Sequence, residues 1–108
     1  MVRTVIQAGI CGFHTTVTAR SADLQHVEPA IESTCEKINM LAADIATVDA
    51  FREIGDGFEE TILTAVRAHL KGCCSGCIVP SGLFKTVQVA GGVALTAAAS
   101  VMIEKQEE

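Results

Sequence analysis

Three of the five cysteines in this chain lie within five residues, in the segment CCSGC (residues 73–77). Cys74 and Cys77 form a C-x-x-C pair, a spacing that lets one turn direct two sulfur atoms toward the same point. Such a pair suits a metal ion, an iron–sulfur cluster or a disulfide. Ser81 follows shortly after Pro80 and is a good N-cap. The pair is therefore predicted to precede a helix N-terminus, where backbone N–H groups stabilise a thiolate.

The composition limits the class of protein. The chain of 108 residues is predicted to form one domain, residues 1–108. A hydrophobic content of 49% with 19% charged residues indicates a globular fold. The net charge of −5 and the absence of Trp and Tyr argue against a nucleic-acid partner. We recognise neither a signal peptide nor a run long enough to span a bilayer, so we expect a cytoplasmic protein with no membrane partner.

The hydrophobic pattern predicts an α+β fold with the order β-β-β-α-α-α-β. Short connections favour reversal at each element, which gives a two-layer sandwich. Its sheet would have four strands, mostly antiparallel, with the helices on one face. The predicted strands cover residues 2–8, 13–20, 26–32 and 100–105, and the predicted helices begin near residues 33, 58 and 81 and extend to about residues 48, 70 and 97.

Local signals refine this prediction at four places. Pro29 removes a ladder donor, so the third strand is expected at a sheet edge or at a bulge. Ser33 and Glu36 have the spacing of a capping box and predict the start of the first helix. Residues 49–57 are predicted to form a loop. The Gly91-Gly92 pair inside the last helix is expected to allow close packing.

The predicted topology brings the cysteines together. Cys11 follows the first strand, Cys35 follows the third strand, and the segment 73–77 follows the second helix. If every element reverses direction, all three segments lie at the same end of the sandwich. Three stretches that are far apart in sequence would then place their thiols around one point.

Four converging thiolates suit tetrahedral zinc or an iron–sulfur cluster. The fourth ligand is either Cys73 or Cys74, and the C-x-x-C spacing favours Cys74. His69, on an apolar helix face near the cysteine segment, is a reserve ligand together with Cys73. The predicted metal ligands are Cys11, Cys35, Cys74 and Cys77.

Two other interpretations of the cysteines remain open. Cys74 and Cys77 could be the dithiol of a thiol-disulfide oxidoreductase. The βαβ unit expected before such a motif is missing, however, and Cys11 and Cys35 would have no role. Alternatively the cysteines are small buried residues of a structural or interaction domain, since free cysteine is among the most buried residue types.

The chain resembles a family of short uncharacterised proteins from methanogenic archaea and anaerobic bacteria. The resemblance rests on the segments AGICGF (residues 8–13), IESTCE (31–36) and CIVPSG (77–82), with Lys85 and the run 89–95. It covers nearly the whole chain and implies no activity. An anaerobic setting would suit an oxygen-sensitive cluster.

Together these features predict a metal-binding or iron–sulfur protein that acts in electron transfer, sensing or metal handling. We expect a redox or metal-delivery protein as its partner. The sequence contains no Ser/His/Asp constellation, P-loop or dinucleotide-binding motif. It therefore favours a binding role, without a bound organic substrate, over an enzymatic one.

Overall fold

The computed structural model describes residues 1–107, without the side chain of Phe58. Its sheet contains four antiparallel strands in the spatial order β1-β2-β3-β4. The strands are β1 (Val2–Gln7), β2 (His14–Arg20), β3 (His26–Ser33) and β4 (Val48–Asp49). The helices are α1 (Glu36–Ala42), α2 (Ala50–Asp56), α3 (Thr61–His69) and α4 (Val79–Ala90), and short 3-10 turns cover Gly9–Cys11, Gly57–Glu59 and Gly72–Gly76. The predicted α+β fold with a four-stranded antiparallel sheet is confirmed.

One face of the sheet is buried beneath the helices. Along β2, Thr15, Val17 and Ala19 are buried, whereas the alternate residues are partly or fully exposed. This is the period-2 pattern of a strand with one solvated face. Helix α4 crosses β1 and β2, and α1 packs against β3. Each large aliphatic side chain buried between these layers contributes about 1.5–3 kcal/mol.

The position of Pro29 agrees with its chemistry. β4 pairs only with His26 and Val27, so β3 is the edge of the sheet from residue 28 onward. Pro29 lies opposite Ala19 of β2 in this edge region. An edge tolerates proline because the strand there needs no second set of ladder hydrogen bonds.

The fourth strand is not the predicted one. Residues 100–105 were expected to form it, but residues 93–107 contain neither helix nor strand. The strand next to β3 is instead β4, a two-residue bridge in a region predicted as the end of a helix and a loop. A strand forms only where a partner strand accepts its backbone hydrogen bonds. Val48 finds such a partner in Val27, whereas residues 100–105 pair with no strand in the described part of the chain.

The first predicted helix is shorter than expected, and the loop predicted after it contains another helix. α1 ends at Ala42, and the chain tightens through a turn in which the Asp44 N–H donates to Leu41 O. The predicted loop 49–57 contains α2, which the Asp49 carboxylate caps by accepting hydrogen bonds from the N–H groups of Phe51 and Arg52. Asp49 is thus a standard N-cap that the apolar pattern concealed.

The two predicted serine caps are also wrong. Ser33 remains in β3, paired with Thr15, so α1 begins at Glu36 with Cys35 as its N-cap. Helix α4 begins at Val79, before Ser81, because Pro80 suits the first helical turn with its fixed φ and missing N–H.

The last helix ends earlier than predicted because of the glycine pair. Gly92 has a φ of +76°, the Gly92 N–H donates to Val89 O, and the Val93 N–H donates to Gln88 O. This is a Schellman ending, in which a glycine in the left-handed region satisfies the last carbonyl groups. The helix therefore ends at Ala90 and does not reach residue 97.

Gly91 provides the close packing that the sequence suggested. A Cβ atom on Gly91 would lie only 2.6 Å from the Cβ of Ala50, the first residue of α2. Ala50 is fully buried and its Cβ cannot move without the backbone. The contact between the end of α4 and the start of α2 therefore requires a residue without a side chain.

We expect Gly91→Ala to destabilise the fold by about 1–3 kcal/mol, because overpacking displaces the backbone of α2. Gly55→Ala is the matched control, since nothing lies within 4 Å of its would-be Cβ. In a helix interior that change should stabilise by about 0.5–1 kcal/mol. Urea denaturation of the two variants measures both effects, and a shift of both midpoints in the same direction would contradict the packing assignment.

Glu53 is the one charged residue among the buried polar side chains of the described chain. Its side chain is 1% exposed, its Oε1 accepts a hydrogen bond from the Ile62 N–H at 2.7 Å, and its Oε2 is buried without a partner. The carboxyl group of α2 therefore caps the first turn of α3. Burial raises the pKa of Glu53 above its usual value, and the negative charge of Glu60 raises it further, against the hydrogen bond from Ile62.

This raised pKa makes the stability depend on pH. The folded state holds the Glu53 proton more tightly than the unfolded state does. The contribution of protonated Glu53 to the stability of the fold is therefore complete below the ordinary Glu pKa of about 4.3. The contribution is lost as the pH rises through the higher folded-state pKa. Glu53→Gln, which keeps an acceptor and cannot ionise, should therefore gain stability relative to the native chain between acid and neutral pH. Chemical denaturation across that range measures the difference.

The control for this experiment is Glu28→Gln, at an exposed carboxyl group on the outer face of β3. It replaces a carboxylate with an amide outside the core and so measures the effect of the substitution itself. A stability difference for Glu53→Gln that does not change with pH would contradict the raised pKa.

Candidate functional site

The ends of three elements meet at one end of the sheet. Gln7 at the end of β1 pairs with His14, and Ser33 at the end of β3 pairs with Thr15, so both strands end beside the start of β2. Helix α4 begins at the same end, since a Cβ on Gly82 would lie 2.5 Å from Cδ1 of Ile6. Residues that follow β1 and β3, or that precede α4, therefore share this end.

Cys11 lies on the connection between β1 and β2. The connection is a 3-10 turn, Gly9–Cys11, closed by a hydrogen bond from the Gly12 N–H to Gly9 O. Gly12 has a φ of +74°, which favours glycine because it lacks a Cβ. The tight turn leaves the thiol of Cys11 exposed at the end of the sheet.

Cys35 is held at the N-cap of α1 by its neighbours. The Ser33 hydroxyl accepts a hydrogen bond from the Cys35 N–H at 3.0 Å, and the Ser33 hydroxyl also hydrogen-bonds Thr15 at 2.8 Å. The Asn39 side chain donates to Ser33 O and accepts from Ser33 N–H. These contacts fix the junction between β3 and α1, so the thiol of Cys35 has a defined position.

The cysteine segment forms a 3-10 turn, Gly72–Gly76, between α3 and α4. Within it, the Cys77 N–H donates to Cys74 O at 3.1 Å, which places the two ends of the C-x-x-C pair across one turn. Cys74 and Cys77 are half-buried against the core, as is Cys35, whereas Cys73 is exposed. Cys74 and Cys73 therefore differ in their exposure to solvent.

Lys37 connects the cysteine segment to α1. Its Nζ donates a hydrogen bond to Cys74 Sγ at 3.5 Å. Lys37 lies two residues after Cys35, so this contact brings the turn that carries Cys74 beside the first turn of α1. Lys37 was not among the predicted site residues. Its position two residues after Cys35 could have indicated a basic side chain near the thiols.

The electrostatic interactions of Cys77 indicate which thiols surround it. Burial raises the pKa of Cys77, and a hydrogen bond from the Val79 N–H to its sulfur opposes that effect. Coulombic repulsion from Cys35, Cys11 and Cys74 raises the pKa further. These three thiols therefore lie close enough to Cys77 for their charges to act on it. Together with Cys77 they are the four cysteines that the sequence singled out.

The four thiols do not form a ready-made metal site. Across residues 1–107, no group of three or more His, Cys, Asp or Glu side chains has the spacing needed to hold a metal ion. All five cysteines are free thiols. The other three thiols thus surround Cys77 at distances where charges interact. The four thiols would have to move closer together to bind one metal ion.

The two reserve ligands have different surroundings. His69 lies in the last turn of α3, and its Nε2 is 2.7 Å from Oδ2 of Asp44. One ring nitrogen of His69 is therefore held by a carboxylate. Cys73 is exposed, in contrast to the half-buried Cys74. Neither residue displaces the four predicted ligands, whose role as ligands stays a prediction.

The interactions around Cys77 predict how its reactivity responds to pH. Alkylation by iodoacetamide requires the thiolate, so the raised pKa should move the rate profile of Cys77 to higher pH. Removing neighbouring thiols with Cys11→Ser and Cys35→Ser should move that profile back to lower pH, because the repulsion is lost. Peptide mass spectrometry of timed reactions on metal-free protein measures the rate at Cys77.

Cys73→Ser is the matched control, because it removes an exposed thiol of the same segment that is not among the named causes of the Cys77 shift. It should leave the Cys77 profile unchanged. Equal effects of all three substitutions would contradict the arrangement of thiols described above.

The comparisons with known proteins identify a family but no activity. None of the helices in residues 1–107 is both long and apolar enough to cross a membrane. No curated protein and no solved structure matches the chain. The model of a family of unknown function, DUF6951, matches residues 2–103 and so includes every cysteine discussed above. The chain therefore belongs to family DUF6951, which confirms the expected membership of an uncharacterised family.

Proposed function

We propose that the chain binds a metal ion or an iron–sulfur cluster through Cys11, Cys35, Cys74 and Cys77. The observation that carries this proposal is the convergence of three separate segments, which brings three thiols within electrostatic range of Cys77. A purely structural role does not require thiols from three segments at one end of a sheet. The number and type of donors suit tetrahedral zinc or a cluster held by four cysteines.

The charges of these thiols support a bound cation. Four thiolates repel one another, and the raised pKa of Cys77 reflects part of that repulsion. The Lys37 ammonium contacts Cys74 and offsets one negative charge. A metal ion or cluster would offset more, because it binds the thiolates directly and allows them to remain deprotonated.

The surroundings of Cys77 also suit a metal-bound sulfur. The Val79 N–H, at the start of α4, donates a hydrogen bond to the Cys77 sulfur. Backbone N–H groups near ligating sulfurs tune the properties of a metal centre. The twelve-residue helix α4 adds the positive end of its dipole at the same place.

Binding would require the thiols to close around the metal. Zinc–sulfur bonds are about 2.3 Å long, so four sulfur atoms that bind one zinc ion must all lie close to the same point. Cys11 and Cys74 lie on short turns, whereas Cys35 is fixed by Ser33. We therefore expect the two turns to move toward Cys35 and Cys77 when the metal binds, so that binding is coupled to local ordering.

The proposed role is electron transfer, sensing or metal handling in the cytoplasm, with a redox or metal-delivery protein as partner and no nucleic acid or membrane. An origin in methanogenic archaea or anaerobic bacteria, which the resemblance implies, would favour the iron–sulfur cluster over zinc. The proposal includes no bound organic substrate and no catalytic residue.

A thiol-disulfide oxidoreductase is the second candidate, and the contact between Lys37 and Cys74 favours it. Lys37 Nζ lies 3.5 Å from Cys74 Sγ, and reactive cysteines typically lie in partly exposed, electropositive surroundings. In this function Cys74 would attack a disulfide and Cys77 would resolve the mixed disulfide. Cys11 and Cys35 would then be dispensable.

The test of the first proposal is metal and sulfide analysis of the full chain purified without oxygen, with an absorption spectrum. We expect iron with acid-labile sulfide at cluster stoichiometry, or one equivalent of zinc and no colour. Serine substitution of Cys11, Cys35, Cys74 or Cys77 should each reduce the metal content at least tenfold, since loss of one ligand opens the site. Cys73→Ser is the matched control and should retain the metal.

Two outcomes would overturn the metal proposal. One is the absence of bound metal even after anaerobic reconstitution. The other is full metal content in both the Cys11→Ser and the Cys35→Ser variants. In either case, the redox potential and disulfide-exchange rate of Cys74 and Cys77 would decide whether the dithiol function holds.

A further inference from the structure

The outer edge of β1 is open. β1 is the first strand in the order β1-β2-β3-β4 and pairs only with β2. The Ala8 N–H donates to Phe13 O on the β2 side, and antiparallel strands alternate the direction of their backbone groups. The N–H groups of Arg3, Val5 and Gln7 therefore point away from β2. An open edge of this kind is a template for another strand.

The C-terminal segment is an apolar chain without a partner. In residues 93–107 neither helix nor strand forms, and every residue is exposed. Leu95, Val101, Met102 and Ile103 have 92%, 71%, 84% and 91% of their surface exposed. Residues 100–105 carry the β-branched, alternating pattern from which a strand is predicted. Exposed apolar segments of this kind mark interaction sites.

The segment belongs to the shared domain of the family. The family match continues to residue 103 and so includes Val101, Met102 and Ile103. The molecule measures 51 × 27 × 25 Å, and its long axis is twice either other dimension. Residues 93–107 can extend to about 50 Å at about 3.3 Å per residue, which is long enough to reach a neighbouring molecule.

A groove separates β1 from the chain's own C-terminal segment. It has a volume of about 850 Å³ and is lined by β1, by one side of α4, and by residues 96–101. The charged residues that line it in the described chain are Arg3 and Lys85, both basic. The residues that follow Ile103 are Glu104, Lys105, Gln106, Glu107 and Glu108, whose three carboxylates and one ammonium group give a net side-chain charge of −2. The groove and the end of the chain are therefore complementary in charge.

We propose that the C-terminal segment, residues 100–105, docks as an added strand on the β1 edge of a second copy of the chain. The C-terminal segment of the second copy docks in the same way on β1 of the first copy, which gives a closed two-fold dimer. The outward backbone groups of β1 receive the strand, Val101 and Ile103 lose their contact with water, and the net negative residues that follow Ile103 lie near Arg3 and Lys85. This proposal is independent of metal binding.

The exchange explains why the predicted last strand is not formed within one chain. Residues 96–101 lie across the groove from β1 and make no strand with it. A partner's segment can enter the groove as an extended strand, with its hydrogen bonds supplied by β1. Residues 100–105 thus form their strand against β1 of the other copy and not within their own chain.

The test is the mass of the full chain in solution, measured by size-exclusion chromatography with light scattering. A reducing agent prevents disulfide-linked dimers, and a chelator excludes a bridging metal ion. We expect twice the 11.3 kDa mass of one chain. Val101→Asp/Ile103→Asp should give a monomer at the same concentration, because two charges would enter the interface. The dissociation constant of the dimer should rise at least tenfold.

The matched control is Met40→Asp/Ile54→Asp, which adds the same charge at exposed sites on α1 and α2 away from the groove. It should remain a dimer. Amide hydrogen exchange provides an independent readout, since the N–H groups of Arg3, Val5 and Gln7 should be protected in the native chain and exchange faster in the Val101→Asp/Ile103→Asp variant.

Three results would overturn the proposal. The first is a monomer in which the three amides exchange rapidly. The second is a monomer in which they are protected, which would mean that the segment closes on its own β1. The third is a dimer that the Val101→Asp/Ile103→Asp variant leaves intact, which would place the contact on another surface.

Discussion

The packing of α4 across β1 and β2 is the constraint on which the other features depend. Val79, Leu83 and Val87 are buried along one side of the helix, and the Thr86 hydroxyl hydrogen-bonds the hydroxyl of Thr4 at 2.6 Å. This contact sets the direction of α4 against β1. It brings the N-terminus of the helix, with Cys77, to the end of the sheet where Cys11 and Cys35 lie. The opposite end of the same helix is fixed by the contact between Gly91 and Ala50.

Charge then decides what the convergence of thiols can do. Burial raises the pKa of Cys77, and repulsion from the neighbouring Cys35, Cys11 and Cys74 raises it further. One ammonium group, on Lys37, and one backbone N–H group, on Val79, offset it in part. A cation bound at this place would offset the repulsion further.

The open edge of β1 and the exposed C-terminal segment are two consequences of one fact. The sheet closes on the β3 side with the short strand β4, whereas no strand within residues 1–107 pairs with the outer edge of β1. Backbone groups at a sheet edge and apolar side chains on an extended segment are each costly in water. Their joint presence in one family domain points to a contact in which each satisfies the other.

The sequence by itself determined the elements with strong patterns. The alternation around Val17 gave β2 and its buried face, the turn residues around Cys11 gave the first connection, and the spacing of Leu83 and Val87 gave α4. The same patterns were sufficient to place Cys11, Cys35 and the segment 73–77 at one end, because short connections leave few topologies.

Only the tertiary structure decided the boundaries and the partners. Ser33 could cap a helix or extend a strand, and the pairing with Thr15 made it a strand residue. Val48 could continue a helix, and the free edge beside Val27 made it β4. Residues 100–105 have the pattern of a strand but pair with no strand within residues 1–107. Local sequence sets which conformations are favourable, whereas hydrogen bonds to distant residues select among them, and those partners exist only once the chain has folded.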